Sequence, residues 1–381
     1  MSNAWQSRAW VEVDLDAVRE NFLTVRRAVG PGPGIIAMVK ADAYGVGAER
    51  VVRALEPLGP WGYGVATAAE GAALRRAGVQ RPILVVSPLS REAMRTAAEA
   101  GLIISISSLD MLDEWAALAR RRGEPLEFHA EVDTGMGRAG FDWREAAEWG
   151  EALRSRSGDV VRWTGVYTHF QGADAADRAA TALQWERFSD ALVQLPVSRE
   201  DLMVHAANSA AALRWPEYAA DAVRPGIFLY GGHPAPALGP EELPAPRPVV
   251  AVRARLVLVR NVPPGSTVGY GATHVARGWE RWGTLAIGYG DGLPRSLGNR
   301  GSALVRGRRV AILGRVSMDM TVVDLTAVPE AQVGDVATLI GRDGDEEIAL
   351  DEVAAQAGTI GYEILTGLTA RLPRVETTNG D

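Results

Sequence analysis

Residues 35–45 read IIAMVKADAYG, a short apolar run followed by a lysine and a turn that ends in glycine. A segment of helical period comes next, and the same order of apolar run and helical segment recurs to about residue 230. Such alternation is typical of βα units around a parallel sheet. We predict eight strands, at residues 35–39, 63–66, 83–86, 103–106, 128–132, 165–168, 203–205 and 222–224.

The segments between these strands are long enough for helices. Helical spacing of apolar residues is clear at 17–29, 51–58, 68–77, 111–121 and 175–195. Eight such units predict an α/β fold with a closed (β/α)8 barrel of the TIM type. The competing architecture, an open doubly wound sheet, would want a GxGxxG turn after the first strand, and the chain has none there.

A second domain is expected after the barrel. Residues 231–248, GGHPAPALGPEELPAPRP, are too rich in proline for a helix or a central strand and look like a connection. Beyond them, apolar and polar residues alternate between Gly, Pro and Asp turns, which predicts a mostly antiparallel β domain. We expect the barrel at 11–240 and the β domain at 241–381, with residues 1–10 associated with the second domain. The short strand at residues 10–15 precedes the barrel and can belong to either domain.

Composition narrows the chemistry. The net charge of −7 comes without a tract of Lys and Arg, so we expect neither a nucleic-acid nor a membrane partner. There is no cysteine, which excludes disulfides and thiolate nucleophiles. Five dispersed histidines form no metal-binding motif, so we expect no metal. With no apolar run long enough to span a bilayer, we expect a cytoplasmic protein.

Lys40 is the only lysine among 40 basic residues. A lysine amine can lose its proton when desolvated and then condense with a carbonyl, whereas an arginine essentially always stays charged. Lys40 follows strand one, and a barrel of this type carries its active site at the carboxyl ends of its strands. We therefore predict that this amine is chemically active.

Two later loops favour a phosphate site at the same end of the barrel, because the turns after strands seven and eight frequently bind phosphate. In ANSAA, residues 207–211, Asn208 or Ser209 would cap a helix and leave N–H groups for an anion. In RPGIF, residues 224–228, Gly226 permits close approach and Ile227 offers its amide. A lysine facing such a cup predicts a phosphorylated aldehyde held as an imine, which pyridoxal 5'-phosphate fits.

The chain resembles the alanine racemase family, whose barrel and β domain would cover nearly all of it. The resemblance rests on VKADAYG, VDTGMGR, THF, ANSAA, RPGI.LYG, GYG.T, GYGDG, GR.SMD and GT.GYE.LT, in the family's order and at its approximate spacings. It implies a pyridoxal-phosphate-dependent isomerase that interconverts L- and D-alanine, as in D-alanine biosynthesis.

The resemblance implies catalytic roles for several residues. Lys40 would hold the cofactor as a Schiff base and act as one base, with Tyr270 as the other. Two are needed because a proton removed from one face of the substrate must be returned to the opposite face. Arg224 would face the pyridine nitrogen and leave it unprotonated, and His169 would link Arg224 to Tyr270. Arg138 would contact the phenolic oxygen and the substrate carboxylate.

The resemblance also implies binding residues. The rest of the cofactor site would comprise Tyr44, Asn208, Ser209, Gly226, Ile227 and Tyr362. The substrate side and entrance would be formed by Met318, Tyr270, Tyr289 and Asp319, all from the partner subunit in this family, together with Arg295 and Asp174. The implied enzyme is therefore a homodimer with two shared active sites.

Position 131 departs from the family. Many members have a lysine there, which becomes carbamylated and orients the arginine seven residues on. Glu131 cannot be carbamylated. Our hypothesis is that its own carboxylate supplies the anion for Arg138.

Other enzymes share a barrel, a β domain and a lysine on strand one. Basic amino-acid decarboxylases usually need a catalytic cysteine and D-threonine aldolases need a metal site, and the sequence advertises neither. Two further alternatives stay open: a racemase of serine or of broad specificity, and a non-catalytic pyridoxal phosphate carrier. In this fold the carrier is a barrel alone, so the second domain and Tyr270 argue against it.

Overall fold

The structure is a computed structural model that describes residues 7–239 and 242–377. The first strand, β1 (Ala9–Asp14), runs directly into helix α1 (Leu15–Val29). Asp14 makes this junction, because its carboxylate accepts a hydrogen bond from the amide of Ala17 and caps the helix. Residues 1–6 and the expected domain boundary at 240–241 lie outside the described residues.

Eight parallel strands form a closed barrel, as the sequence predicts. They are β2 (Gly34–Met38), β3 (Gly62–Val65), β4 (Ile83–Val85), β5 (Ile103–Ile106), β6 (Leu126–Asp133), β8 (Val161–Tyr167), β9 (Met203–Asn208) and β10 (Ala222–Arg224), with a two-residue strand β7 (Phe141–Asp142) beside β6. The order is β5-β4-β3-β2-β10-β9-β8-β6, and pairing of β5 with β6 closes the ring. All eight predicted strands are confirmed, with ends that shift by a few residues.

Helical segments cover the barrel. They are α3 (Ala48–Leu55), α4 (Ala68–Arg76), α5 (Arg91–Glu99), α6 (Leu109–Arg122), α7 (Ala146–Arg156), α8 (Ala179–Gln194) and α9 (Ser209–Arg214), and the short segment α2 (Lys40–Tyr44) is a left-handed turn after β2. Strands β3, β4 and β5 are buried along their whole length. A strand that is buried on both faces needs apolar residues on both, and this explains the continuous apolar runs of the sequence.

The second domain is built on a nine-stranded sheet. Its strands are β11 (Val250–Val262), β14 (Glu280–Leu285), β15 (Ser302–Val305), β16 (Arg308–Leu313), β17 (Thr321–Asp324), β18 (Val336–Asp343), β19 (Glu346–Ile348), β20 (Arg374–Thr377) and β1, beside a separate hairpin of β12 (Thr267–Val268) and β13 (His274–Val275). Helices α10 (Leu350–Ala357) and α11 (Gly361–Gly367) follow β19. All pairs in the large sheet are antiparallel except β1 with β20, so the mostly antiparallel domain is confirmed.

The two domains are joined through β1 and a shared core. β1 lies between β11 and β20, so the strand that precedes the barrel belongs to the second sheet. One hydrophobic cluster includes Phe22 and Ile36 of the barrel domain together with Val252 and Leu285 of the β domain. Across the described ranges, none of the helices is long and apolar enough to cross a membrane.

Candidate active site

A pocket opens at the carboxyl ends of the barrel strands. It brings together every residue that the sequence assigned to the cofactor: Lys40, Tyr44, Arg138, His169, Asn208, Ser209, Arg224, Gly226, Ile227 and Tyr362. Met38, Val86, Glu131 and Tyr167 complete its wall.

Lys40 is presented by a turn of unusual handedness. Residues 41–44 have φ angles of 52°, 53°, 53° and 57°. This left-handed region costs roughly 1–2 kcal/mol for each residue that has a Cβ, so the surrounding structure must stabilise the turn. The amide of Gly45 closes it on the carbonyl oxygen of Ala41 at 2.8 Å. Lys40 and Tyr44, at the two ends of this turn, both line the pocket.

The environment of Lys40 favours the neutral amine. Burial lowers the pKa of Lys40 below its ordinary 10.5, and the charges of Arg138 and Arg224 lower it further, whereas Glu70 raises it. Only a neutral amine attacks a carbonyl, so a lowered pKa increases the reactive fraction near neutral pH.

Arg224 is buried and rigidly held. Its Nη2 donates to the carbonyl oxygens of Thr168 at 2.7 Å and Ala206 at 3.0 Å, and Nδ1 of His169 lies 3.3 Å away. Its Nη1 lies 2.6 Å from Nδ1 of His205. Nε of Arg224 has no acceptor within the described parts of the chain, so it remains available to an acceptor in the pocket.

Two buried histidines support Arg224 from behind. A guanidinium only donates, so Nδ1 of His205 accepts and the proton of that ring is on Nε2. This Nε2–H donates to Nδ1 of His129 at 2.8 Å. Burial lowers the pKa of His129 to about 3 and that of His205 well below 6.5, so both rings are neutral.

The two histidines behind Arg224 were not among the residues predicted from the sequence. Besides the two histidines, Tyr167 stacks on His205 at 4.8 Å, and the guanidinium carbon of Arg224 lies 4.9 Å from the Tyr167 ring centre. His129 and His205 are polar rings within mostly apolar barrel strands, and the sequence shows this. Buried polar groups are nearly always hydrogen-bonded, so each ring could have been expected to have a buried partner.

At the carboxyl end of β9, Asn208 caps α9 by accepting from the amide of Ala211 at 3.1 Å, which confirms the first of the two predicted caps. The amide of Gly226 donates to Oγ of Ser209 at 2.8 Å. The resemblance had implied that this amide is free to bind the phosphate. In the structure it is bonded within the protein instead. The hydroxyl hydrogen of Ser209 is left to donate towards the pocket.

Glu131 does not form the expected ion pair. The hydroxyl of Ser107 donates to its carboxylate at 3.2 Å, whereas the hydroxyl of Tyr167 donates to Oγ of Ser105 at 2.8 Å. No salt bridge joins Glu131 to Arg138 within residues 7–239. Burial raises the pKa of Glu131, since an apolar environment disfavours the charged form, although the neighbouring hydroxyls and the charges of Arg224 and Arg138 partly oppose this. Any effect of Glu131 on Arg138 acts across space rather than through contact.

The residues expected from a partner subunit do not reach the pocket of their own chain. Tyr270, Tyr289 and Met318 are 69%, 40% and 52% exposed on the β domain. Asp319 instead pairs with Arg371 at 2.6 Å. His169 therefore contacts Arg224 but not Tyr270 within one chain. The two remaining entrance residues lie apart from each other. Arg295 lies with Tyr289 in a separate pocket. Asp174 lies near Tyr362, and burial raises the pKa of Tyr362, with a further contribution from the charge of Asp174.

Two family models cover most of the chain. The alanine racemase N-terminal domain matches residues 13–234, and the alanine racemase C-terminal domain matches residues 249–376. The chain belongs to the alanine racemase family. The alanine racemase of Synechocystis sp. is 38% identical over 372 residues, which are 97% of this chain and 99% of that protein.

Solved structures of alanine racemases share the whole fold. The enzyme of Bacillus anthracis, with bound L-Ala-P, has a TM-score of 0.90 and 35% identity over 98% of this chain and 96% of its own. The enzyme of Bartonella henselae, with covalently bound pyridoxal phosphate, has a TM-score of 0.87 and 29% identity over 97% of this chain and 100% of its own. Pyridoxal phosphate is the cofactor of the family.

Proposed function

We propose that this chain is a pyridoxal-phosphate-dependent racemase that interconverts L-alanine and D-alanine. The observation that carries the proposal is the position of the chain's only lysine in one pocket with all the expected cofactor residues. The relative from Bacillus anthracis, with its bound L-Ala-P, supports alanine as the substrate.

The pocket fits the cofactor on three independent counts. Lys40 offers a partly desolvated amine for the aldehyde. The free Nε–H of Arg224 suits the pyridine nitrogen. The side chains of Tyr44, Ser209 and Tyr362 also line the pocket, and their hydroxyls suit the phosphate. When bound, the cofactor supplies an electron sink that makes the α-hydrogen of an amino acid acidic.

The side chains of this chain would then move and direct one proton. Nζ of Lys40 would take or return it on one face, and the phenol oxygen of Tyr270 of the partner subunit would take it as the phenolate, or return it as the hydroxyl, on the other. Arg138 binds the substrate carboxylate. Arg224 stays a donor at neutral pH, because its pKa, although lowered by burial, is still about 10. A donor at the pyridine nitrogen limits electron withdrawal, which favours reprotonation over side reactions.

We further propose a homodimer with two shared sites. Tyr270, Tyr289 and Met318 are large and exposed and do not line the pocket of their own chain, so they are available to a neighbour's pocket. In this proposal residues 11–240 bind the cofactor together with Tyr362, and residues 241–381 also provide the second base to the partner. We place the enzyme in the cytoplasm, where free amino acids and the cofactor are available.

The direct test combines isotope exchange with cofactor trapping. The purified protein with pyridoxal phosphate is given single L-amino acids in deuterated water, and α-proton exchange and optical rotation are followed. We expect exchange with inversion, fastest for alanine, and a pyridoxyl adduct on Lys40 after borohydride reduction. If serine were turned over faster than alanine, serine would replace alanine as the proposed substrate. Absence of the adduct, or full turnover by Lys40→Arg, would remove the proposal.

Subunit mixing tests the shared site. Lys40→Arg and Tyr270→Phe homodimers should both be inactive in racemisation. In a random mixture, about a quarter of all sites combine an intact Lys40 with an intact Tyr270 of the partner subunit. We expect activity to appear on mixing after dissociation and reassembly. If no activity appears although hybrid dimers form, the two bases do not come from different subunits.

A further inference from the structure

Glu70 links the ends of two neighbouring barrel strands at the mouth of the pocket. One carboxylate oxygen accepts from the amide of Ala41 at 2.7 Å. The other accepts from the amides of Ala66 at 2.8 Å and Thr67 at 3.0 Å. Ala41 directly follows Lys40 after β2, and the other two amides follow β3. A single side chain therefore ties the segment that carries the active amine to the next βα loop.

Only part of this arrangement is needed to start a helix. Thr67 caps α4 by accepting from the amide of Glu70 at 3.2 Å, and Glu70 returns a bond to the amide of Thr67, which together form a capping box. The bond to Ala41 is an addition to that box. A carboxylate suits this position because it has only acceptors, whereas a carboxamide would turn an NH2 group towards at least one of the three amides.

The bond to Ala41 acts at the start of the left-handed turn. Ala41 has a φ of 52° and is the first of four consecutive left-handed residues. The far end of the turn is held separately, because Nε of Arg374 donates to the carbonyl oxygen of Gly45 at 3.0 Å. Holding Ala41 sets the direction in which the chain leaves β2, and this direction places the side chain of Lys40.

We propose that Glu70 is a positioning residue for Lys40, which it fixes in the pocket through the amide of Ala41. The relevance for catalysis rests on the proposed function, in which Lys40 carries the cofactor. The charged groups that act on Lys40 are Arg138, Arg224 and Glu70, and within the described ranges Glu70 is the anion among them. His169 also faces Lys40, but burial lowers its pKa to about 3 and keeps it neutral.

The single lysine permits a direct measurement in cofactor-free protein. Labelling with lysine carrying 13C at Cε gives one side-chain resonance, whose pH titration reports Lys40 alone. In Glu70→Gln we expect the titration midpoint to fall, because the anion that raises the pKa of Lys40 is removed. We also expect the affinity for pyridoxal phosphate, measured by absorbance titration, to weaken about tenfold, because a bonded amide loses its acceptor.

Two further variants separate positioning from general stability. Thr67→Ala removes half of the capping box but leaves the acceptor of Ala41 in place. It should lower thermal stability as much as Glu70→Gln while the Lys40 titration and the cofactor affinity stay those of the wild type. Glu70→Asp keeps the charge but shortens the reach, so it should weaken cofactor affinity with a smaller shift of the Lys40 midpoint.

Two results would overturn the proposal: a wild-type Lys40 midpoint and cofactor affinity in Glu70→Gln, or equal losses in Thr67→Ala. Failure of the proposed function looks different. In that case the wild type forms no borohydride-stable adduct on Lys40, while the titration of the cofactor-free protein still shows whether Glu70 acts on the amine.

Discussion

The hydroxyl oxygen of Tyr44 occupies the space that a side chain on Gly226 would need, since a Cβ at that position would stand 2.3 Å from it. Tyr44 cannot easily move aside. Its ring stacks 4.7 Å from that of Tyr230, whose hydroxyl donates to the carbonyl oxygen of Met38 at 2.7 Å. Gly226 has a φ of −124°, so the glycine is required for the close approach of a hydroxyl and not for a left-handed backbone.

Gly226→Ala should therefore damage the phosphate end of the pocket. We expect a loss of about 1–3 kcal/mol in the free energy of unfolding from overpacking, and about tenfold weaker binding of pyridoxal phosphate as Tyr44 is displaced. Urea unfolding and absorbance titration measure the two effects. Gly158→Ala is the matched control, because a Cβ there meets no atom within 4 Å. Equal cofactor affinity in both variants would contradict the prediction.

The two buried histidines should make stability fall in acid. Burial lowers the pKa of His129 from 6.5 to about 3, whereas the unfolded chain keeps the ordinary value. Between these pH values the unfolded state binds a proton that the folded state does not, so stability is lost as pH falls below 6.5. The loss is about 3 kcal/mol at pH 4 for this ring, and His205 acts in the same direction.

Urea unfolding of the wild type and His129→Gln at several pH values checks this. The variant should be less stable at pH 7, because it loses a buried hydrogen-bonded ring, but its stability should fall less steeply between pH 6.5 and 4. Parallel pH profiles for the two proteins would show that this ring is not the source of the acid sensitivity.

Glu131→Gln should weaken catalysis in a pH-dependent way. Burial raises the pKa of Glu131 above its ordinary 4.5, so the carboxyl gains its charge only as pH rises through this higher value. Only the charged form can act on Arg138, so the ratio of wild-type to variant kcat/KM should grow with pH, to about tenfold. Glu127→Gln, on the same strand but paired with Arg162, is the control. A fully active Glu131→Gln at every pH would refute the hypothesis.

Arg374 should couple the β domain to the left-handed turn. Besides Gly45, its guanidinium donates to the carbonyl oxygens of Leu368 at 2.7 Å and Leu372 at 2.7 Å. A lysine cannot reproduce this fork, so Arg374→Lys should cost about 2 kcal/mol of unfolding free energy and weaken cofactor binding. Arg144→Lys, at an exposed site, should change neither. Unaltered cofactor affinity in Arg374→Lys would show that the turn does not depend on this contact.

Local sequence patterns predicted most of the fold. The spacing of apolar residues indicated the eight barrel strands and the antiparallel second domain, because that spacing depends on which faces are buried. Lys40 stood out because it is the only lysine and follows a strand. Lys40, Asn208, Ser209, Gly226 and Ile227 could be placed at one site because the carboxyl ends of barrel strands meet at one face, whereas Tyr362 of the second domain was implied only by the family resemblance.

Only the tertiary structure decided the arrangement of these residues. The motif ADAY contains no glycine, so its left-handed turn depends on Glu70 and on a distant carboxy-terminal arginine rather than on local preference. Glu131 is seven residues from Arg138, yet it bonds to Ser107 of the neighbouring βα loop instead. The sequence determined which elements form and which chemistry is present, whereas contacts between elements far apart in the chain set handedness, proton positions and ion pairs, because those depend on distances that no local pattern records.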